Sequence, residues 1–318
     1  MVTMQGIFYS GITILLVTLI ALHVVSYMEA VRSQGEQMTV RIRTNELGNF
    51  VDSMALDMPR VVDISTRRAL VAAINEVDLR GAGLDDAQLR LQELVMNGTI
   101  YGLPSYWLNA STVPDWADRV AGIGANKGFT VNFTFESFEV LPEDSFSVRA
   151  VLNWEVNVSD SVEEMSVYRS YETSVRVPIT ALEDPFYPLH TRGLAHNKII
   201  PANFTVINVT LLDRMITERV YLNSSEGPSF LDRLEDNFVV PSKYNGMTDN
   251  QIGLESIVNI QEFINYGVEI IQNKTNVDYI YFSDINMTGY PVNGSAYTWL
   301  RIDPESAQRY GVNGSLIQ

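Results

Sequence analysis

The chain has 318 residues, with 22 Lys and Arg against 38 Asp and Glu, a net charge of −16 and no cysteine. Such an acidic balance excludes a nucleic-acid partner, which needs a basic face. The lack of cysteine excludes disulfides and thiolate metal sites. The length is enough to bury a large core without such staples and points to two packed units.

The first element is "QGIFYSGITILLVTLIALHVVSYMEA". From Ile7 to Tyr27 only His23 can titrate. At about 1.5 Å per residue, that run matches the roughly 30 Å hydrocarbon core of a bilayer. Residues 1–6 carry no Lys or Arg, and no small-x-small cleavage site follows the run. The expectation is a retained transmembrane anchor over residues 1–28, meeting the lipid bilayer through residues 7–27. His23, near the end of the run, reads as an interfacial side chain reaching for the headgroups.

Two signals disagree on sidedness. Arg32, Arg41 and Arg43 follow the span, and the positive-inside rule alone would leave the rest of the chain in the cytoplasm. Against this stand eleven N-x-[S/T] sequons, at Asn97, Asn109, Asn132, Asn157, Asn203, Asn208, Asn223, Asn273, Asn286, Asn293 and Asn313. Random placement of the chain's Asn, Ser and Thr would give roughly three. All eleven lie beyond the anchor. The reading is a single-pass cell-membrane protein with a cytoplasmic N-terminus, an extracellular bulk and N-linked glycans.

Residues 29–80 form the expected helical stalk. Val31, Met38, Ile42, Leu47, Phe50, Val51, Met54, Met58 and Val61 recur at three- and four-residue steps. Pro59 marks a kink or boundary, and "ISTRRALVAAINEV" follows as a second helix capped by Ser65 or Thr66. Residues 81–128 hold short helices and loops, with "LDDAQLRLQELVMNG" a helix stopped by Asn97-Gly98.

Residues 129–182 read as an antiparallel β-sheet. "FTVNFTFESFEVL", "SVRAVLNWEVNVS" and "MSVYRSYETSVRVPI" alternate, with "DSVEE" as a turn. Val148, Ala150, Leu152, Trp154, Val156 and Val158 share the core face, and Asn132 and Asn157 fall on the wet one.

Residues 183–318 are a mixed α/β region. In "LEDPFY", Phe186 and Tyr187 are expected to pack inward from a Pro-stiffened crossover. "FTVINVTLL" reads as a strand, "GPSFLDRLEDNF" as a helix starting at Pro228, and "GLESIVNIQEFINYGVEI" as helical at least in its first half. "VDYIYFSD" and "SAYTWLRI" look strand-like, and "DPESAQRYGV" is a final helix with Asp303 as cap. The fold class is thus α+β: an N-terminal transmembrane helix and helical stalk, an antiparallel sheet domain, and a mixed α/β C-terminal unit.

In their order, "QGIFYSGITILL", "ISTRRAL", "LEDPFY", "GLESIVN", "VDYIYF" and "WLRIDPESAQRYGV" resemble a group of uncharacterised archaeal envelope proteins with type IV pilin-like N-termini. The resemblance implies a helical stem carrying an exported α/β head, and no established activity. Two positions depart from the pilin pattern. Gln5 stands where a basic residue would precede the leader glycine, and Gly11 stands at the fifth position after Gly6, where pilins carry Glu.

No stretch of the sequence carries a catalytic signature. His190 and His196, six apart in "HTRGLAH", lack a third ligand nearby. "GIGANKG" precedes a strand instead of joining a strand to a helix. "DINMTG" has Ser295 where a calcium loop needs Glu. No catalytic residue, cofactor site or metal site is assigned. The expected function is non-enzymatic: a membrane-anchored, N-glycosylated, pilin-like surface protein with a structural or interaction role, in contact with itself or other envelope proteins. The alternatives are a true filament subunit after leader cleavage, or an exported enzyme or solute-binding receptor whose site is assembled from distant residues.

Overall fold

The computed structural model describes residues 4–161, 165–203, 208–240 and 242–317, with side chains from residue 11 onward. The architecture is mixed α+β with small antiparallel sheets. It separates into two compact units: residues 1–56, 121–132 and 156–169 in the first, and residues 57–120, 133–155 and 170–318 in the second.

The chain begins with one uninterrupted helix, α1 (Met4–Arg80), about 115 Å long at 1.5 Å per residue. The expected break at Pro59 is absent, and "ISTRRALVAAINEV" continues the same helix. Pro59 faces solvent, so water can serve the carbonyl that its missing N–H leaves free. Met58 and Val62, fully buried around it, outweigh the roughly 3 kcal/mol that an interior proline costs.

In the first unit, residues 11–42 of α1 are exposed on every face. Packing starts at Arg43. Its Nε donates to Asp160 Oδ2 at 2.8 Å, and its guanidinium lies 4.9 Å from the Phe129 ring centre. Leu47, Val51 and Met54 are then buried one turn after another, and Phe50 packs on Phe129 at 5.7 Å.

In the second unit, α1 buries Met58, Val62, Ala69, Leu70, Ala73 and Val77 along one stripe. Helix α2 (Ala87–Asn97) starts at Asp86, whose carboxylate accepts from Leu89 N at 2.9 Å, a cap worth about 1 kcal/mol. It ends at Gly98, whose φ of +68° suits the left-handed position that closes a helix. Two short strands follow, β1 (Thr99–Ile100) and β2 (Leu103–Pro104), paired antiparallel. Helix α3 (Val113–Asn126) begins in this unit, and the first residues of "GIGANKG", which belong to the first unit, complete it. Helix α3 is held by Asp115, which bonds back to Thr112, and by Trp116, whose Nε1 donates to Asp57 at 2.9 Å.

Strands β3 (Phe129–Asp144), β4 (Ser147–Asp160) and β5 (Met165–Pro178) form a three-stranded sheet in that order. The expected core face is the observed one. Val148, Ala150, Leu152, Trp154, Val156 and Val158 are all at most 1% exposed. Trp154 stacks on Tyr171 at 4.7 Å and donates to Thr173 Oγ1 at 3.0 Å, so its one polar atom is served inside the core. The expected turn "DSVEE" lies largely outside the described residues.

Beyond residue 183 several expectations fail. Helix α4 (Phe186–Thr191) follows the crossover, and Phe186 and Tyr187 are buried as expected. Within "FTVINVTLL", residues 204–207 lie outside the described residues, and the remainder opens a helix, α5 (Val209–Glu218), not a strand. Asn208 caps it, and Leu212, Met215 and Ile216 bury its inner face at about 1.5–3 kcal/mol each. Pro228 lies in strand β6 (Leu222–Ser229), and helix α6 (Phe230–Leu234) starts only after Ser229. "GLES" is strand β7 (Gly253–Glu255), paired with β6, and not helix. A Cβ on Gly253 would collide with the Gly227 backbone, so the close strand crossing requires glycine there. Helix α7 (Ile260–Tyr266) begins five residues later, at the Asn259 cap.

"VDYIYFSD" is helix α8 (Asp278–Phe282) and not a strand. Its aromatic and β-branched content suits strands, but Val277 to Tyr281 are all buried, so no face of the segment reports a period. "SAYTWLRI" yields only β9 (Arg301–Ile302), paired with β8 (Tyr290–Pro291). Helix α9 (Pro304–Arg309) closes the unit with Asp303 as cap and Pro304 at its first position, as expected.

Candidate functional site

Among the described residues, a concentration of buried charge lies in the C-terminal region, around Arg233. Helix α6 is only five residues long and would not form alone. A reciprocal cap fixes it: Ser229 N donates to Asp232 Oδ2 at 2.9 Å, and Asp232 N donates to Ser229 Oγ at 3.3 Å. Ser242 Oγ adds a bond to the same carboxylate at 2.5 Å. This directs the next residue, Arg233, into the interior, where it is completely buried.

Two carboxylates meet it. Arg233 Nη1 lies 2.6 Å from Asp184 Oδ2 and 2.9 Å from Asp278 Oδ2, and Nη2 donates to Leu254 O. Both aspartates are also fully buried. Asp184 accepts from Tyr221 Oη at 2.9 Å and from Phe186 N at 3.1 Å. Asp278 accepts from Ser256 Oγ at 2.8 Å and from Tyr279 N at 2.7 Å. Tyr187 Oη lies 3.1 Å from Ser256 Oγ, and the Arg233 guanidinium lies 4.7 Å from the Phe186 ring centre.

The electrostatics follow from burial. It raises the Asp184 carboxyl above its usual range; Arg233 opposes the rise and Asp278 adds to it. Burial also works against the charged guanidinium, but the two aspartates outweigh it and Arg233 stays ionised. Burial pushes the Tyr187 and Tyr221 hydroxyls up as well, so both remain neutral donors. A second buried acid lies in the same region. Glu255 is raised by burial, with Arg309 pulling the other way, and it accepts from Ser224 Oγ at 2.9 Å.

This arrangement has the chemistry of a structural keystone. One guanidinium serves two carboxylates, each carboxylate accepts three donors, and solvent does not reach them. Beside the network, Tyr187, Asn197, Ile257 and Phe263 line a gap of about 10 Å³, room for one water and too small for a metabolite. Asn197 Oδ1, buried there, has no protein partner among the described residues.

Four of the sequence pieces singled out above converge here. "LEDPFY" supplies Asp184, Phe186 and Tyr187; "GLESIVN" supplies Leu254, Glu255 and Ser256; "VDYIYF" supplies Asp278; and "WLRIDPESAQRYGV" supplies Arg309. The sequence patterns do not single out Arg233 or its ion partners. The readable signal was a single aspartate, Asp278, set inside the apolar stretch "VDYIYF".

The two histidines, His190 in the last turn of α4 and His196 beyond it, take separate carboxylates. His190 Nε2 lies 2.8 Å from Asp236 and stacks on Phe282, while His196 Nδ1 lies 3.2 Å from Glu183. Among the described residues no three His, Asp or Glu side chains stand in metal-binding geometry. All eleven sequon asparagines are exposed, whereas five of the other twelve asparagines are not. Comparison with protein-family models, with characterised proteins and with solved structures returns no match.

Proposed function

We propose that the chain is a membrane-anchored, N-glycosylated protein of the cell surface, pilin-like in layout, with a structural or interaction role and no catalysis of its own. The observation that carries the reading is α1. It is long and apolar enough to cross a bilayer, and residues 11–42, before Arg43, are exposed on every side. In water, leaving so many large apolar side chains uncovered is unfavourable by about 25 cal/mol per Å². In lipid it costs nothing.

The sequons support the sidedness. Their uniform exposure fits oligosaccharide attachment at every one, and their number outweighs three arginines after the span. The ionised cluster around Arg233 is buried among aromatic rings, so its role is structural.

The test uses native membranes of known sidedness. Protease added outside should digest residues 29–318, and the intact mass of the purified chain should exceed the sequence mass by several glycans. A head digested only after membrane inversion, with no added mass, would overturn the reading. An N-terminus at Ile7 on a sedimenting polymer would replace it with a cleaved filament subunit.

A further inference from the structure

The exposed part of α1 beyond the apolar span is not uniform. From residue 28 to 42, apolar side chains fall at Met28, Val31, Met38 and Ile42, with Gly35 completing the series. The steps are three, four, three and four, the 3.5-residue period of a coiled-coil seam. Of the ten residues between them only Ala30 and Val40 are apolar. Met28, Val31, Met38 and Ile42 are 65%, 50%, 66% and 50% exposed, so nothing in the protomer covers the stripe.

We propose that this stripe pairs with the same stripe on a second copy of the chain, as a short parallel coiled coil. Three observations select that occupant. First, the stripe is not a face that the protomer uses. Leu47, Val51 and Met54, which are buried in the protomer, point roughly 140° away from it at 100° per residue. Continued past Ile42, the seam positions become Asn45, Asn49 and Asp52, all exposed. The apolar seam therefore stops where packing inside the protomer begins.

Second, the flanking charges fit a parallel partner in register. Arg41 and Glu46 occupy the g and e positions on either side of the seam, five residues apart. In a parallel pair, Arg41 of each copy faces Glu46 of the other, giving two complementary pairs. By the same rule Arg32 faces Tyr27 of the other copy, a cation beside an aromatic ring. Third, lipid cannot be the occupant. A membrane span running to Ile42 would be about 50 Å long, well past the hydrocarbon core, and would bury Glu29, Arg32, Glu36 and Arg41.

The parallel orientation rests on the membrane-anchor reading, since two anchors in one bilayer must leave it on the same side. Gly35 adds a packing detail. A Cβ there meets nothing within 4 Å in the protomer, so the glycine is not required by the chain's own fold. At a seam position it lets two helices approach closely.

The absence of native cysteine provides the test. Single cysteines are placed in the full-length chain, one at a time, from Met28 to Ile42, and membranes are treated with a mild oxidant. Disulfide-linked dimer should peak at positions 28, 31, 35, 38 and 42. At Val31→Cys it should exceed that at Ser33→Cys and Val40→Cys by about fivefold or more. Arg41→Glu in the Val31→Cys chain should lower the yield, and adding Glu46→Arg should restore it. Uniform yield along the segment, or maxima on the face of Ser33 and Val40, would overturn the pairing. The share of chain in the membrane fraction is measured in parallel. Membrane-bound chain without periodic cross-linking refutes the pairing and leaves the anchor standing. Periodic cross-linking of chain outside the membrane fraction does the reverse.

Discussion

The sheet of β3, β4 and β5 and the C-terminal region around Arg233 are both well buried, but they are held by opposite means. The sheet has an apolar face in strict alternation, and its central tryptophan needs a single side-chain hydrogen bond, to Thr173. The C-terminal region has short elements threaded around an ion network, with Arg233 reaching carboxylates 49 residues upstream and 45 downstream. One is stabilised by surface removed from water, which is additive and local. The other depends on several distant groups being present together, because any of them left alone is a buried charge.

That contrast can be broken most sharply at Arg233. Arg233→Ala leaves Asp184 and Asp278 facing each other without a cation and should cost about 5 kcal/mol in urea unfolding. Replacing all three charges together, with Arg233→Met, Asp184→Leu and Asp278→Leu, should recover most of that loss. If the single and triple variants are equally unstable, the network acts through shape and not through charge.

In the sheet, Trp154→Ala should cost about 3–5 kcal/mol, the range for deleting a large buried side chain. Trp154→Phe should cost about 1–2 kcal/mol, mostly the lost bond and the stranded Thr173 hydroxyl. No double replacement should rescue Trp154→Ala, since volume and not pairing is what is lost. A loss below about 1 kcal/mol for Trp154→Ala would show that the face is not the core.

A smaller effect separates the regions by pH. The Glu255 carboxyl is raised above its ordinary value of 4.5 by burial. The folded protein therefore holds that proton more tightly than the unfolded chain does. The resulting stabilisation is present below about pH 4.5 and is lost as pH rises through the raised folded value. Glu255→Gln should flatten this part of the stability profile, while Trp154→Phe should leave it unchanged. An unchanged profile in Glu255→Gln would mean that Glu255 titrates normally in the fold.

The smallest effect concerns the wet face of the sheet. Asn157→Gln should remove one glycan from the intact mass and change stability by no more than about 0.5 kcal/mol. A larger loss would mean that Asn157 supports the sheet itself.

The sequence alone determined the apolar span, the three long strands and their buried face, and the helices that announce an end, such as α2 by its Asn97-Gly98 stop and α9 by Asp303 and Pro304 at its start. The span is legible from its length without a charge; in the strands and helices one face is wet and the other dry, so the period of the side chains is written into the order of the residues. It also carried a break at Pro59 that the folded helix does not show, because packing of Met58 and Val62 outweighs the local preference. The C-terminal region was decided only by the tertiary structure. Where Val277 to Tyr281 are buried on all sides, no period survives to tell helix from strand. Elements five residues long, like α6 and α8, have no stability of their own. Their form, and the meeting of Arg233 with two aspartates, depends on partners that only the completed fold brings within 3 Å.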